Sequence, residues 1–340
     1  MPNFDSSVWV KAQSKLTGAF QATEMRSRNA SVHQLFMRNT NIMMPNYEVL
    51  RTHDTRVLDT HFINRTPRAL GSTISHTHNG TQGDSSVLTP TWFRKEDKIV
   101  STVKEADRSI YDLTDLQISK FNNSMINFSE GLEADASSYL FTNRTGVNNA
   151  DGVEGSFANN TTFEITDTTA GERAIQITKM AMDINKYTDL NYTIVCDSIA
   201  WNRFRFDNAQ GAGNDTNTAF QFDGLEFILD VNLTAPAQAL GYTKGYWIAV
   251  PTGTIAGLDW IPPLYRRGMD NKENSYGSVF NPLIGMQLGG HTYEERVDGT
   301  SLGGNVQDLK IETQFHTDLA YVHAPLSVAN ETTIFGFALV

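Results

Sequence analysis

Residues 114–141 read TDLQISKFNNSMINFSEGLEADASSYLF. Ile118, Phe121, Met125, Phe128, Leu132 and Tyr139 recur at steps of three, four and seven, the spacing that places side chains on one face of an α-helix. Thr114 with Gln117 has the spacing of a capping box, which satisfies the first orphan N–H groups. At 1.5 Å per residue such a segment is a rod of roughly 40 Å. The opposite face, with Asn122, Ser129, Glu130 and Asp135, is polar. Gly131 costs some helix stability but falls off the apolar stripe. No other segment offers a helix of comparable length to pair with it, so the pattern predicts a spine lying on a sheet rather than a bundle.

Downstream, residues 143–171 are a loop rich in Asn, Gly and Thr, followed by an α/β portion. ERAIQITKMAMDIN places Ala174, Ile177, Ala181 and Ile184 on one helical face, and NYTIVCDS (191–198) is a short apolar strand. IAWNRFRF (199–206) reads as a helix capped by Asp197 or Ser198. Strands then dominate: 225–231, 245–251, 306–325 and 332–340. Residues 245–264 carry one charge, but glycines and prolines break them, which predicts strands and turns instead of a membrane span.

Upstream, TRVLDTHFINRT (55–66) and TWFRKEDKIVSTV (91–103) alternate as half-buried strands do. They predict a long two-stranded arm, with the polar stretch 67–90 as its tip. That tip contains SHTHNGTQGDSS (75–86), with two histidines at i, i+2. Gly71 and its neighbouring glycines allow tight bends, and Ser75, His76, His78, Asn79, Gln82 and Ser85 supply neutral hydrogen-bonding groups. The first forty residues form a helical arm, with Trp9, Ala12, Leu16 and Phe20 at helical spacing and a second apolar patch at Leu35, Phe36 and Met37. We expect residues 1–40 to contact adjacent subunits more than their own body.

Composition narrows the function. The chain has 340 residues, 40% of them apolar, and a net charge of −11. That charge argues against a surface that grips nucleic acid, which needs clustered Lys and Arg at the phosphates. The single cysteine, Cys196, sits in an apolar run and reads as a buried inert thiol. The N-terminal stretch lacks a basic start followed by an apolar run, so no secretion signal is expected. Asn-x-Ser/Thr triplets such as Asn64–Thr66 and Asn79–Thr81 are then composition and not glycan sites. His76 and His78 could ligate zinc together with His53 or His61, but no acidic or thiol partner stands at motif spacing. The glycine-rich stretches lack the Lys-Ser/Thr of a phosphate loop, and no nucleophile elbow or metalloprotease motif occurs. No cofactor is called for.

Arm, extended loop, spine and mixed α/β portion, in that order, resemble the major capsid protein of tailed double-stranded DNA bacteriophages, the Hong Kong 97 phage fold. The stretches that carry the resemblance are TWFRKEDKIVSTVKEADRSIYD leading into the spine, AIQITKMAMDINKYTDLNYTIVCDSIAWNRFRF, and IGMQLGGHTYEERVDGTSLGGNVQDLKIETQFHTDLAYVHAP. The resemblance implies an α+β fold with an N-terminal arm (1–55), an extended β-hairpin loop (56–103) and a peripheral domain (104–165) holding the spine (112–142). It further implies an axial α/β domain (166–274), return strands to the peripheral sheet (275–317) and a closing axial strand (318–340). Copies would form hexamers and pentamers of an icosahedral shell around phage DNA, assembled in the host cytoplasm and carried in the virion. Portal, scaffold and decoration proteins are the implied partners, with no membrane. No lysine lies between residues 71 and 93, so a loop-tip isopeptide crosslink is not implied. An encapsulin-type nanocompartment shares that fold, a zinc-dependent hydrolase would use the His76/His78 loop, and a β-rich adhesin would explain the Asn/Thr content but not the spine.

Overall fold

The structure is a computed structural model. It describes residues 8, 10–12, 31–56, 60–64, 84–102, 113–146, 156–158, 161–167, 173–184, 191–212, 225–270, 274–297, 308–325 and 332–340. Helices α1 (Ser31–Met43) and α2 (Tyr47–Thr52) precede strands β1 (Thr60–Asn64), β2 (Asp84–Leu88) and β3 (Phe93–Thr102). The long helix α3 (Leu113–Thr142) follows, then β4 (Ser156–Ala158), β5 (Thr162–Ile165), α4 (Ala174–Ile184), β6 (Tyr192–Cys196), α5 (Ser198–Ala212) and β7 (Leu225–Leu229). The remainder is α6 (Thr234–Ala239), β8 (Tyr246–Pro251), β9 (Ile255–Trp260), α7 (Pro263–Arg267), β10 (Met269–Asp270), β11 (Asn274–Asn281), β12 (Met286–Val297), β13 (Asp308–His323) and β14 (Phe335–Leu339).

Two six-stranded sheets carry the body. The first is antiparallel, in the order β10-β11-β12-β13-β3, with β9 pairing the far end of β13. The second is mixed, in the order β4-β5-β14-β8-β6-β7. Its inner strands β6, β8 and β14 are buried along their whole length, and alternate residues serve two cores. Ile194, Cys196, Trp247, Ala249, Phe335 and Phe337 face α4 and α5, whereas Val195, Ile248, Val250 and Ala338 face α1, α6 and the end of α3. A strand buried on both faces needs a continuous apolar run, which YTIVC and YWIAV supply. Asp197 caps α5 through its Oδ1, which accepts from the Ala200 N–H at 2.7 Å.

Helix α3 joins these cores. Ile118, Phe121, Met125, Phe128 and Leu132 pack on the antiparallel sheet against Ile99, Val279, Met286, Leu288, Phe315 and Leu319. Phe121 meets Phe315 edge to face at 5.3 Å. One turn on, Ala136 and Leu140 enter the second core with Phe36, Tyr246, Ile248 and Tyr321. Fully burying each large side chain contributes about 1.5–3 kcal/mol. Asn281, wholly buried at the end of β11, donates from Nδ2 to the Met125 carbonyl and ties the sheet to the rod.

Four expectations change. Asn122 and Ser129 are buried, because the helix is covered on more than one face; the exposed stripe is Asp115, Ser119, Asn123, Asn127, Glu130, Ala134 and Ser138. Thr114 lies inside the first turn and not ahead of it. Residues 31–43 pack on their own body: Val32, Leu35 and Phe36 are core residues of their own chain, as are Val8 and Ala12. The boundaries at 165 and 274 do not follow the sheets, since β5 pairs with β14 and β9 with β13.

The start of α1 is pinned to α3 by a carboxylate. Glu133, buried, accepts from the N–H groups of Val32 and His33 at 2.9–3.0 Å, as a negative group at a helix N-terminus does. Tyr321 spends its one hydrogen on the Leu132 carbonyl at 3.2 Å, so His33 Nδ1 must donate to the Tyr321 oxygen at 2.9 Å. His33 Nε2 is left as a buried acceptor without a partner among the described residues. Burial lowers the His33 pKa to about 4 and raises that of Glu133 to about 7.

Phe128→Asp puts an unpaired charge at a position 4% exposed, and the expected loss is about 3–5 kcal/mol. Little soluble, cooperatively melting protein should be recovered; a normal melt would mean that the stripe does not carry the fold. For Glu133 the folded pKa lies above the unfolded one, so its contribution is greatest below about 4.5 and falls as pH rises to about 7. The stability difference between wild type and Glu133→Gln, measured by denaturant melts from pH 5 to 8, should fall across that window. A flat difference would show that the carboxyl titrates normally.

Candidate assembly surface

Strands β1 and β2 form a separate two-stranded ribbon, with Thr60 opposite Leu88 and Asn64 opposite Asp84. The expected arm paired 55–66 with 91–103, but β3 instead joins the body sheet beside β13, from Lys310–Thr102 to Leu319–Phe93. The period-2 pattern was common to both strands and did not say which partner each takes. On the ribbon that same period sorts the side chains. Phe62 and Leu88, with Trp92, pack on Met43, Met44, Tyr47, Leu50, Leu258, Trp260 and Val322. The other face presents His61, Ile63, Ser85 and Val87, all exposed, Ile63 to 90%. Among the described residues nothing in the chain covers these two aliphatic side chains on the outer face of the ribbon.

Where the ribbon leaves the body, arginines gather. Asp318, wholly buried on β13, receives Arg94 Nε at 2.6 Å and Arg56 Nη1 at 2.9 Å. Arg94 stays firmly protonated through that pairing. On β9, Asp259 is gripped by Arg51 through Nε and Nη2 at 3.0–3.2 Å. Burial pushes the Asp259 carboxyl up to about 7, against a smaller lowering by a backbone N–H of its own residue. Arg266 donates to the carbonyls of Ile261, Arg51 and His53, which fixes the chain before the ribbon. Arg267 pairs with Asp54 at 3.0 Å.

Among the residues singled out from sequence, Ile118, Phe121, Met125, Phe128 and Leu132 share one cluster under the antiparallel sheet. Ser85 lies on the exposed ribbon face opposite Ile63. Gly71, Ser75, His76, His78, Asn79 and Gln82 lie outside the described residues, as do Trp9, Leu16 and Phe20. His53 ends α2 beside Thr55, and His61 is on the ribbon's outer face. Among the described residues no three of His, Cys, Asp and Glu gather as metal ligands, and no helix is long and apolar enough to cross a membrane. Sequence reasoning missed Arg56, Arg94 and Asp318. The available signal was Asp318 itself, an acid inside the apolar strand FHTDLAYV, where a buried charge demands a paired cation.

No family model matches the sequence, and no curated protein matches it. Solved structures do. A chain of the cyanophage Pam1 capsid asymmetric unit superposes with a TM-score of 0.56 at 11% identity, over 94% of this chain and 98% of that one. A chain from Mycobacterium phage Che8 gives 0.50 at 7% identity, over 87% and 89%. At such identity the shared property is the fold, and that fold is the α+β Hong Kong 97 phage-type capsid fold.

Proposed function

We propose that this protein is a major capsid protein: a structural, non-enzymatic subunit that assembles with copies of itself into the hexamers and pentamers of an icosahedral phage head. The observation that carries this reading is the ribbon, which is anchored on one face and leaves Ile63 and Val87 exposed on the other. The likeness to the Pam1 capsid chain over nearly the full length of both supports it. In this reading 56–92 is the extended loop, whose tip (Gly71, Ser75, His76, His78, Asn79, Gln82) lies across a neighbouring subunit. The antiparallel sheet with α3 is the peripheral domain, with Val8 and Ala12 of the N-terminal segment in its core, and the mixed sheet with α4 and α5 is the axial domain. The shell encloses double-stranded DNA without reading its sequence, and a net charge of −11 suits a wall along which DNA slides. Assembly takes place in the host cytoplasm, with portal and scaffold proteins and, on the outside, decoration proteins as partners; the protein resides in the virion.

Electron microscopy and sedimentation of the purified protein, alone and with a scaffold, should show closed shells or capsomers. Ile63→Asp with Val87→Asp should melt within a few degrees of wild type, since both side chains are exposed, yet form no shells. Shells from that variant in wild-type yield would remove the ribbon from the assembly, and a wild type that stays monomeric throughout would sink the capsid reading.

A further inference from the structure

A cleft of about 340 Å³ lies where α2, α7, the end of β9 and the β11–β12 turn meet. It falls at the small end of the range for ligand sites, about 300–1,000 Å³. Much of its lining is apolar: Trp260, Ile261, Met286 and Phe280. Phe280 is 49% exposed, so the cleft reaches solvent. Gln287 stands opposite Phe280 on the β11–β12 ladder, which puts ring and amide on the same side of the sheet. Gly285, at φ +70°, turns the chain there and adds no side chain to the space.

Two guanidinium groups and one carboxylate line the same cleft. Asp259, buried, takes Nε and Nη2 of Arg51. Arg266 is committed to backbone, its nitrogens donating to the carbonyls of Ile261, Arg51 and His53. Arg51 Nη1 meets no acceptor among the described residues, and the Gln287 amide has no side-chain hydrogen bond among them either. Asp259 on one side and the Tyr47 ring, 5.2 Å away, on the other hold the Arg51 guanidinium in place. Its unused edge is therefore fixed before any ligand arrives, which lowers the ordering cost of binding. The lining carries one positive charge in excess, beside unused donors and apolar walls.

We propose that this cleft is a binding site for a small carboxylate that bears a flat apolar group. The carboxylate accepts from Arg51 Nη1 and the Gln287 amide, and the apolar group lies among Trp260, Ile261, Met286 and Phe280. Charge-assisted hydrogen bonds from a guanidinium to a carboxylate are among the stronger ones, and the planar arginine fork suits a planar anion. One negative charge matches the excess of one; a phosphate dianion brings a second, which meets Asp259 behind Arg51. A cation is repelled by both guanidinium groups. The site is complete within one chain, so the inference goes beyond the assembly reading and does not depend on it. A ligand held by Arg51 and Gln287 links α2 to β12, and binding stabilises the folded subunit by mass action.

The test is a titration of the full chain with phenylacetate, read by calorimetry and by the melting temperature. Acetate supplies the same charge without the ring, and phenylethylamine the same ring with the opposite charge. Phenylacetate should bind with one-to-one stoichiometry and raise the melting temperature as its concentration rises. Acetate, lacking the apolar contact, should bind about tenfold more weakly or worse, and phenylethylamine should give no shift. Gln287→Ala and Phe280→Ala, both on exposed side chains, should melt within a few degrees of wild type. Each should weaken phenylacetate binding about fivefold or more. Arg51→Lys keeps a cation beside Asp259 but loses the unused N–H groups, and it should weaken binding most. If that chain does not fold, the Gln287 and Phe280 variants carry the test alone. No saturable binding up to about 10 mM, equal binding of acetate and phenylacetate, or binding that both exposed-site variants leave unchanged overturns the inference. Each of those results leaves the assembly reading intact.

Discussion

Everything in this structure depends on one helix being buried in two cores at once. The two sheets share no strand, yet α3 gives Ile118 to Leu132 to the antiparallel sheet and Ala136 and Leu140 to the mixed one. Fixing a helix of 30 residues costs backbone entropy of about 1–2 kcal/mol per residue. Only burial along nearly its whole length offsets that. The consequence is mechanical: neither sheet can rotate without shearing the contacts at the other end of the rod. A subunit that must present surfaces far apart in a fixed relation needs such a member. Tyr321 adds a second brace, since it extends from β13 into the mixed-sheet core and bonds the Leu132 carbonyl.

The rod was legible in the sequence because its signal is redundant. Six apolar positions from Ile118 to Tyr139 agree on one period, and no strand could use that spacing. The buried strands of the mixed sheet were legible for a similar reason, being short apolar runs between turn signals. What failed were statements about which elements meet. Alternation identifies β3 as a strand with one buried face, but its partner β13 lies more than 200 residues away, and local pattern carries no information on pairing at that distance. The polar back of α3 misled for a related reason. Asn122 and Ser129 suit a solvent face equally well, and only the fold brings chain over them. The arm was misjudged from position, since a terminal segment with a moderate apolar stripe docks as readily on its own body as on a neighbour's.

Charged residues give the candidate surface its character, and they were the least legible part. Asp318 and Asp259 stand at the crossing of β13 and β9, where burial would be prohibitive without cations. Each is matched by arginines from chain that is remote in sequence: 51–56 before the ribbon and 94 after it. Arginine suits this work because its planar fork can hold a carboxylate with several donors while the stem crosses apolar surface. The ribbon therefore leaves the body between two fixed points, although its strands are only five residues long.

A ribbon of that size has little stability of its own, since an isolated two-stranded hairpin is marginal in water. Here one face is paid for by Phe62, Leu88 and the body beneath them, and the other is left to Ile63 and Val87 in solvent. The anchoring arginines hold the base, so the ribbon's direction is set before any partner arrives, which lowers the ordering cost of association. The remaining apolar face contributes only when something covers it. Direction is thus built into the subunit, while the favourable burial is deferred to assembly. In the proposed assembly the net charge of −11 keeps separate copies apart, the anchored base sets the ribbon's direction and its outer face supplies contact area. Neither base nor face suffices alone: exposed arginine pairs are worth about 1 kcal/mol or less each, and two aliphatic side chains bury too little surface to fix an orientation. Their combination on one rigid frame, set by α3, is what a subunit needs to repeat a single geometry many times.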